Sequence, residues 1–152
     1  MKHDILIRQA TQNDSCKVAE AVQSLLRELG GTEGPRLSQL TETARLVLQD
    51  QRVNGFIAEE HETVLGVLLL NQCTAIYAGG HFGEISELFV NPRFRSQGIA
   101  KRLVEAAMEF GRSQGWSRLE VGAPKQPDWE RSLVFYLRSG FDVVGPRLRI
   151  PL

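Results

Sequence analysis

The sequence predicts a single mixed α/β domain, and three observations predict it. Apolar runs of strand length recur between polar turns, among them residues 55–60, 64–73 and 85–90. Other stretches carry apolar residues at helical spacing, opened by capping chemistry and closed by glycine. The two kinds of element follow one another without strict alternation, which gives a mixed sheet. A chain of 152 residues suits one domain with a substantial core. Hydrophobic residues at 42% and charged residues at 24% are ordinary globular values, so disorder is not expected. The zero net charge argues against a general nucleic-acid binder.

Taken in order, Ile5 to Ala10 read as a first strand, and Thr11 to Ser15 supply turn and N-cap chemistry. Val18, Ala19, Val22, Leu25, Leu26 and Leu29 recur at helical spacing until Gly30-Gly31. A loop follows, then a weaker helix from about Ser38 to Leu48. Gly55 to Glu60 and Val64 to Cys73 read as paired strands around the turn His61-Glu62-Thr63. Thr74 to Gly83 read as a longer connection. Ile85 to Val90 form a central strand, followed by a helix from near Gly98 to about Gly115. Leu119 to Ala123 form a fifth strand, stopped by Pro124, and Asp128 can cap a last helix from Trp129 to about Arg138. Phe141 to Val144 read as a sixth strand and Leu148 to Ile150 as a short seventh.

The sharpest local pattern is the strand–turn–helix of residues 84–102. The turn opens at Asn91-Pro92 and offers Arg95, Gly98, Lys101 and Arg102 at the start of a helix. There the first backbone N–H groups lack intrahelical acceptors and the helix dipole favours an anion. A glycine lets a ligand reach the backbone without meeting a Cβ. The pattern reads as a phosphate-binding turn. It lacks the Gly-Lys-Ser/Thr ending of a Walker A loop and the three glycines of a dinucleotide fingerprint. A turn whose glycine and cations serve only capping and solubility is the competing reading.

Arg95-Ser96-Gln97-Gly98-Ile99-Ala100 resembles the Arg/Gln-x-x-Gly-x-Gly/Ala signature of the GNAT superfamily of acyl-CoA-dependent N-acyltransferases, with Ala100 at the second glycine position. Leu88-Phe89-Val90-Asn91-Pro92 resembles the strand and proline that precede it. The resemblance implies a mostly antiparallel, splayed central sheet of six to seven strands flanked by about four helices. It implies acetyl-CoA as co-substrate, its pyrophosphate held by backbone N–H groups from Gln97 through Gly98, Ile99 and Ala100 to Lys101. Leu88, Phe89 and Val90 would pair their backbone with the pantetheine arm as an added strand would.

Acyl transfer to an amine needs a base for an ammonium that is mostly protonated at pH 7, and an acid for the leaving thiolate. Glu84 and Glu87 precede the cofactor segment. Strand alternation puts them on opposite faces unless a bulge re-aims the strand. Members of the superfamily carry carboxylates at positions matching either, and Glu84 is favoured as base over Glu87. A solvated strand residue is the bland reading of each. Tyr136 lies in Tyr136-Leu137-Arg138-Ser139-Gly140-Phe141, which resembles the family's Tyr-x-x-x-Gly-Phe ending. The resemblance implies that its phenol protonates the departing thiolate; on its own it reads as a core aromatic on a helix. The chain departs from the family at Trp129, where many members have an Asn that reaches the cofactor, and at Ser132, where Ala is usual.

His3, His61 and His81 lack ligand spacing, so no metal is expected. Cys16 and Cys73 are far apart and suggest no disulfide framework, which makes a reducing cytoplasm the expected setting. No apolar run reaches membrane-spanning length, and Arg8 breaks any signal-peptide reading of the start. The expected reaction is direct transfer of acetyl from acetyl-CoA to a primary amine of a small molecule. A peptide or protein amine is the second choice of acceptor, and a non-catalytic acyl-CoA-binding or sensing module is the alternative of another class. The expected partners include neither nucleic acid nor membrane. The family's habit of pairing sheet edges between subunits makes a homodimer a further expectation.

Overall fold

A computed structural model describes residues 4–30, 34–123 and 129–152. The strands are β1 (Leu6–Gln9), β2 (Val53–Glu60), β3 (Thr63–Ala75), β4 (Gly80–Val90) and β5 (Leu119–Val121), and they lie in that order in one sheet. Every neighbouring pair is antiparallel except β4 and β5, which run parallel. The helices are α1 (Ser15–Gly30), α2 (Leu37–Gln49), α3 (Ile99–Ser113) and α4 (Glu130–Arg138).

Alternation along the strands divides the core between the two faces of the sheet. Leu68, Leu70 and Ile85 pack with Ile99, Leu103, Val104 and Ala107 of α3. Ile57, Val67, Leu69 and Phe89 face the other way, against Val18 and Ala19 of α1 and Ala44 of α2. The first helix is preceded by a capping box in which Asp14 accepts from the Thr11 backbone N–H at 2.8 Å. The same carboxylate is clasped by Arg8 at 2.8 and 2.9 Å, and Arg8 reaches on to Glu59 of β2.

Several expected elements shift. The connection expected over residues 74–83 is mostly strand: β3 runs to Ala75 and β4 starts at Gly80, so the turn is only residues 76–79. Gly79-Gly80 and the polar pair Thr74 and His81, in contact at 2.9 Å, concealed the alternation. β5 ends at Val121, short of the expected Ala123. The expected sixth and seventh strands are absent, so the sheet has five strands among the described residues. Phe141 to Val144 and Leu148 to Ile150 have strand propensity but no neighbouring strand to pair with, and Val143, Val144, Leu148 and Ile150 are all exposed. The expected cap Asp128 lies outside the described residues; Trp129 stands at the N-cap of α4 without a side-chain capping bond.

Gly83 marks the closest packing beneath the sheet. A Cβ there would stand 2.5 Å from the Trp116 ring and 2.7 Å from Leu119. Trp116 therefore lies flush under β4 and holds β5 against it, with its indole N–H donating to Gln72 at 3.1 Å.

Candidate active site

The site begins where two strands part. β4 and β5 pair only from Gly83 to Ile85 on one side and Leu119 to Val121 on the other. From Ser86 to Val90 the outer edge of β4 has no strand partner among the described residues. A cavity of about 590 Å³ opens beside this edge, lined by Val90, by Ser96 and Gly98 to Lys101, and across from them by α4. Leu88 and Val90 turn their side chains toward the α3 core while Phe89 is buried on the opposite face, and of the three Val90 lines the cavity.

At the cavity's end α3 presents its N-terminus. Gly98 has φ of 80°, a left-handed conformation suited to glycine, and a Cβ there would meet nothing within 4 Å. The first helical bond of α3 runs from Arg102 N–H to Gly98 C=O at 3.1 Å. The N–H groups of Ile99, Ala100 and Lys101 therefore have no acceptor within the helix, and they sit at its positive end. Ser96 also has positive φ, at 65°, which turns the backbone sharply just before Gly98. Arg95 also lines the cavity, and its guanidinium holds Glu28 of α1, donates to the Val90 carbonyl at 2.9 Å, and lies over the Phe89 ring.

The two glutamates come to the same face of the sheet. The β3–β4 register runs Leu69 with Glu87 and Leu70 with Ile85, leaving Ser86 as the extra residue of a β-bulge. Glu84, opposite Asn71, and Glu87, opposite Leu69, therefore share the α1–α2 side, where simple alternation predicted opposite sides. Their environments differ. Glu84 is paired to Arg147 of the C-terminal segment at 3.1 Å. Glu87 accepts from the Ser86 hydroxyl, and burial, with a smaller contribution from Glu84, raises its carboxyl above the usual range.

A second, open cavity of about 1450 Å³ wraps around β5. Tyr77, Glu84, Tyr136 and Arg147 are among its lining residues, so it brings the expected acid and the favoured base to one space; Glu87 is not among them. Tyr136 is almost fully buried, between the rings of Phe135 and Phe141 at 5.4 and 5.6 Å. Burial pushes its phenol up to about 12, so the hydroxyl stays a proton donor at neutral pH. Tyr77 donates to Glu120 at 3.2 Å beneath Arg118.

Residues 19–141 match the acetyltransferase (GNAT) family. The chain belongs to that family. It is 28% identical over 118 residues to thialysine N-epsilon-acetyltransferase of Caenorhabditis elegans, covering 76% of this chain and 71% of that one. It is 27% identical to the IAA acetyltransferase of Azospirillum brasilense, across 96% of this chain and 89% of the relative. Among solved structures, a GCN5-related N-acetyltransferase from Ralstonia eutropha JMP134 superposes with a TM-score of 0.79 at 20% identity, covering 97% and 98% of the two chains.

GNAT members use acetyl-CoA as co-substrate, and the residues of the first cavity fit that group. The backbone at Gly98 is open to approach, the free N–H groups suit a pyrophosphate, and Lys101, Arg131 and Arg138 add positive charge to the walls. Arg131 and Arg138 escaped the sequence reading. Their signal was the spacing of Arg131, Val134, Phe135 and Arg138, which lines one face of a helix. Arg147 had no such signal, because it reaches Glu84 from a segment without regular structure. Among the described residues no group of three His, Cys, Asp or Glu could hold a metal ion, and no helix is long and apolar enough to cross a membrane.

Proposed function

We propose that this GNAT chain transfers the acetyl group of acetyl-CoA to a primary amine of a small molecule, by direct attack within one ternary complex. One observation carries the reading: the free N-terminus of α3 and Val90, at the end of the unpaired half of β4, line the same cavity. That combination offers an anion site and a strand-like backbone edge to one elongated ligand carrying a diphosphate and amide groups. The small-molecule acceptor is supported by the relatives, whose names specify thialysine and IAA.

The co-substrate supplies the activated acyl carbon; the chain positions, deprotonates and reprotonates around it. Backbone N–H groups of Ile99 to Lys101 hold the phosphates. Glu87 is the base that takes the proton of the acceptor ammonium, since burial raises its affinity for protons above that of an ordinary carboxylate. Glu84, favoured from the sequence, has its carboxylate engaged by Arg147, which supports a role in shaping the acceptor side. Tyr136 donates the proton that the leaving sulfur needs, and its burial keeps that proton in place.

The test is thiol release from acetyl-CoA across a panel of primary amines, with acetyl-CoA binding followed by calorimetry on the same sample. Release with a small amine is the expected result. Binding without release from any amine, peptides included, would move the assignment to an acyl-CoA-binding module, and absence of binding would remove the co-substrate.

A further inference from the structure

Three groups on the α1–α2 side of the sheet form a hydrogen-bonded chain that the proposed reaction leaves unexplained. Asn71 Nδ2 on β3 donates to Ser86 Oγ at 3.1 Å, and Ser86 Oγ donates to Glu87 Oε2. Ser86 is the unpaired residue of the β4 bulge. It is exposed, so its hydroxyl could have hydrogen-bonded to water. A serine hydroxyl has one proton and can accept as well as donate. With the Asn71 amide occupying a lone pair of Oγ, that single proton is directed onto Glu87. The chain therefore has a direction, from amide to hydroxyl to carboxylate.

We propose that Asn71 and Ser86 are positioning residues for Glu87, holding Oε2 so that Oε1 is the oxygen turned to the acceptor amine. The inference rests on the reading of Glu87 as the base. In the step it serves, one N–H bond of the acceptor ammonium breaks, its electron pair stays on nitrogen, and the proton bonds to Oε1. Oε2 remains an acceptor of the Ser86 hydroxyl throughout, so the carboxylate need not rotate to take the proton. A base fixed in this way loses little time in unproductive orientations. The bulge is what makes the contact feasible: it brings Glu87 onto the face that Asn71 already occupies.

The charged groups around this chain are few. Glu84 precedes Glu87 on the same face of β4 and contributes a smaller, like-charge effect on it; Arg147 pairs with Glu84. Glu120 of β5 is held by Arg118 at 3.1 Å, and Glu28 of α1 is held by Arg95. The α1 and α2 side chains of the core on this face of the sheet, Val18, Val22, Leu25 and Ala44, are apolar. The Ser86 hydroxyl is thus the nearest polar influence on Glu87 that a substitution can remove without altering charge.

The experiment uses the full chain labelled with 13C at the glutamate side-chain carboxyl, with the Glu87 resonance assigned by its loss in Glu87→Gln. Its titration midpoint is followed in Ser86→Ala, Asn71→Asp and Ser86→Thr. Removing the hydroxyl withdraws a donor to the ionised form, so Ser86→Ala moves the midpoint upward by about one pH unit. Asn71→Asp moves it further upward, because the new carboxylate draws the Ser86 proton away from Glu87 and adds negative charge. Ser86→Thr keeps the hydroxyl and stays near wild type, which separates the relay from a packing effect. With the amine found by thiol release, the acid limb of kcat/KM shifts in parallel. Midpoints unmoved in Ser86→Ala and Asn71→Asp overturn the relay. Full turnover in Glu87→Gln overturns the base reading instead, so the two failures are distinguishable.

Discussion

Arg95 grips Glu28 through a single guanidinium nitrogen, Nη2, which stands 2.7 Å from one carboxylate oxygen and 2.8 Å from the other. The same side chain donates through Nε to the Val90 carbonyl. One arginine thus fastens the end of α1, the end of β4 and the turn before α3. Its charge is already paired with Glu28, so the contribution expected of it in the proposed cofactor site is shape. Arg95→Ala should raise the acetyl-CoA Kd about tenfold through loss of this scaffold, with the salt dependence of Kd unchanged. Lys101→Ala should instead flatten the salt dependence. A flattened slope in Arg95→Ala would show that its guanidinium is a phosphate ligand.

Gly98→Val should weaken acetyl-CoA binding by more than tenfold while the chain still folds. A side chain at φ of 80° carries a strain of about 1–2 kcal/mol, and the added atoms stand in the open space above the helix N-terminus. Calorimetry reads the affinity and circular dichroism the fold. An unchanged Kd would mean that this helix end plays no part in binding.

Tyr136→Phe should lower kcat by about a hundredfold with acetyl-CoA affinity nearly intact, the effect of losing one general acid. The ring packing between Phe135 and Phe141 is preserved by the substitution. Because the phenol is pushed up to about 12, no alkaline fall in wild-type rate below pH 10 should trace to Tyr136. Equal kcat in the variant would remove it from the chemistry.

Asp14→Asn should reduce stability by about 2 kcal/mol at pH 7, or roughly 4–8 °C in Tm. The Arg8 hydrogen bond holds the Asp14 carboxyl at about 2, well below the usual carboxylate range. As pH falls, the unfolded chain takes up this proton first, so the stabilisation is present above about pH 4 and is lost toward about pH 2. Wild type and variant should therefore converge in thermal melts as the pH drops through that window. A gap that stays constant down to pH 2 would locate the effect in packing rather than charge.

The sequence disclosed what local chemistry decides. The α3 face from Ile99 to Ala107, the helix stop at Gly30 and the turn at Gly98 that opens α3 are all periodicity, capping or backbone freedom within a few residues. Register was less legible. Two glutamates three apart look opposed on any regular strand, and only pairing with β3 reveals that Ser86 is skipped and that Glu84 and Glu87 point the same way. The same reason hid Asn71, whose partner is fifteen positions away along the chain. Strand propensity after Phe141 misled in the other direction, since propensity states what a segment can do beside a neighbour and supplies no neighbour.

The parting of β4 from β5 also bears on solubility. A free strand edge ordinarily invites another chain to pair with it, and proteins blunt such edges with charge, twist or cover. Here Val90, at the end of the unpaired half of β4, faces Phe135 across a cavity walled by α4. An incoming β-sheet would need room on both of its faces and finds a helix in the way, whereas a single thin chain can enter lengthwise. The opening therefore sorts its visitors by thickness, and the hydrogen-bonding groups left unpaired inside it are shielded from edge-to-edge aggregation.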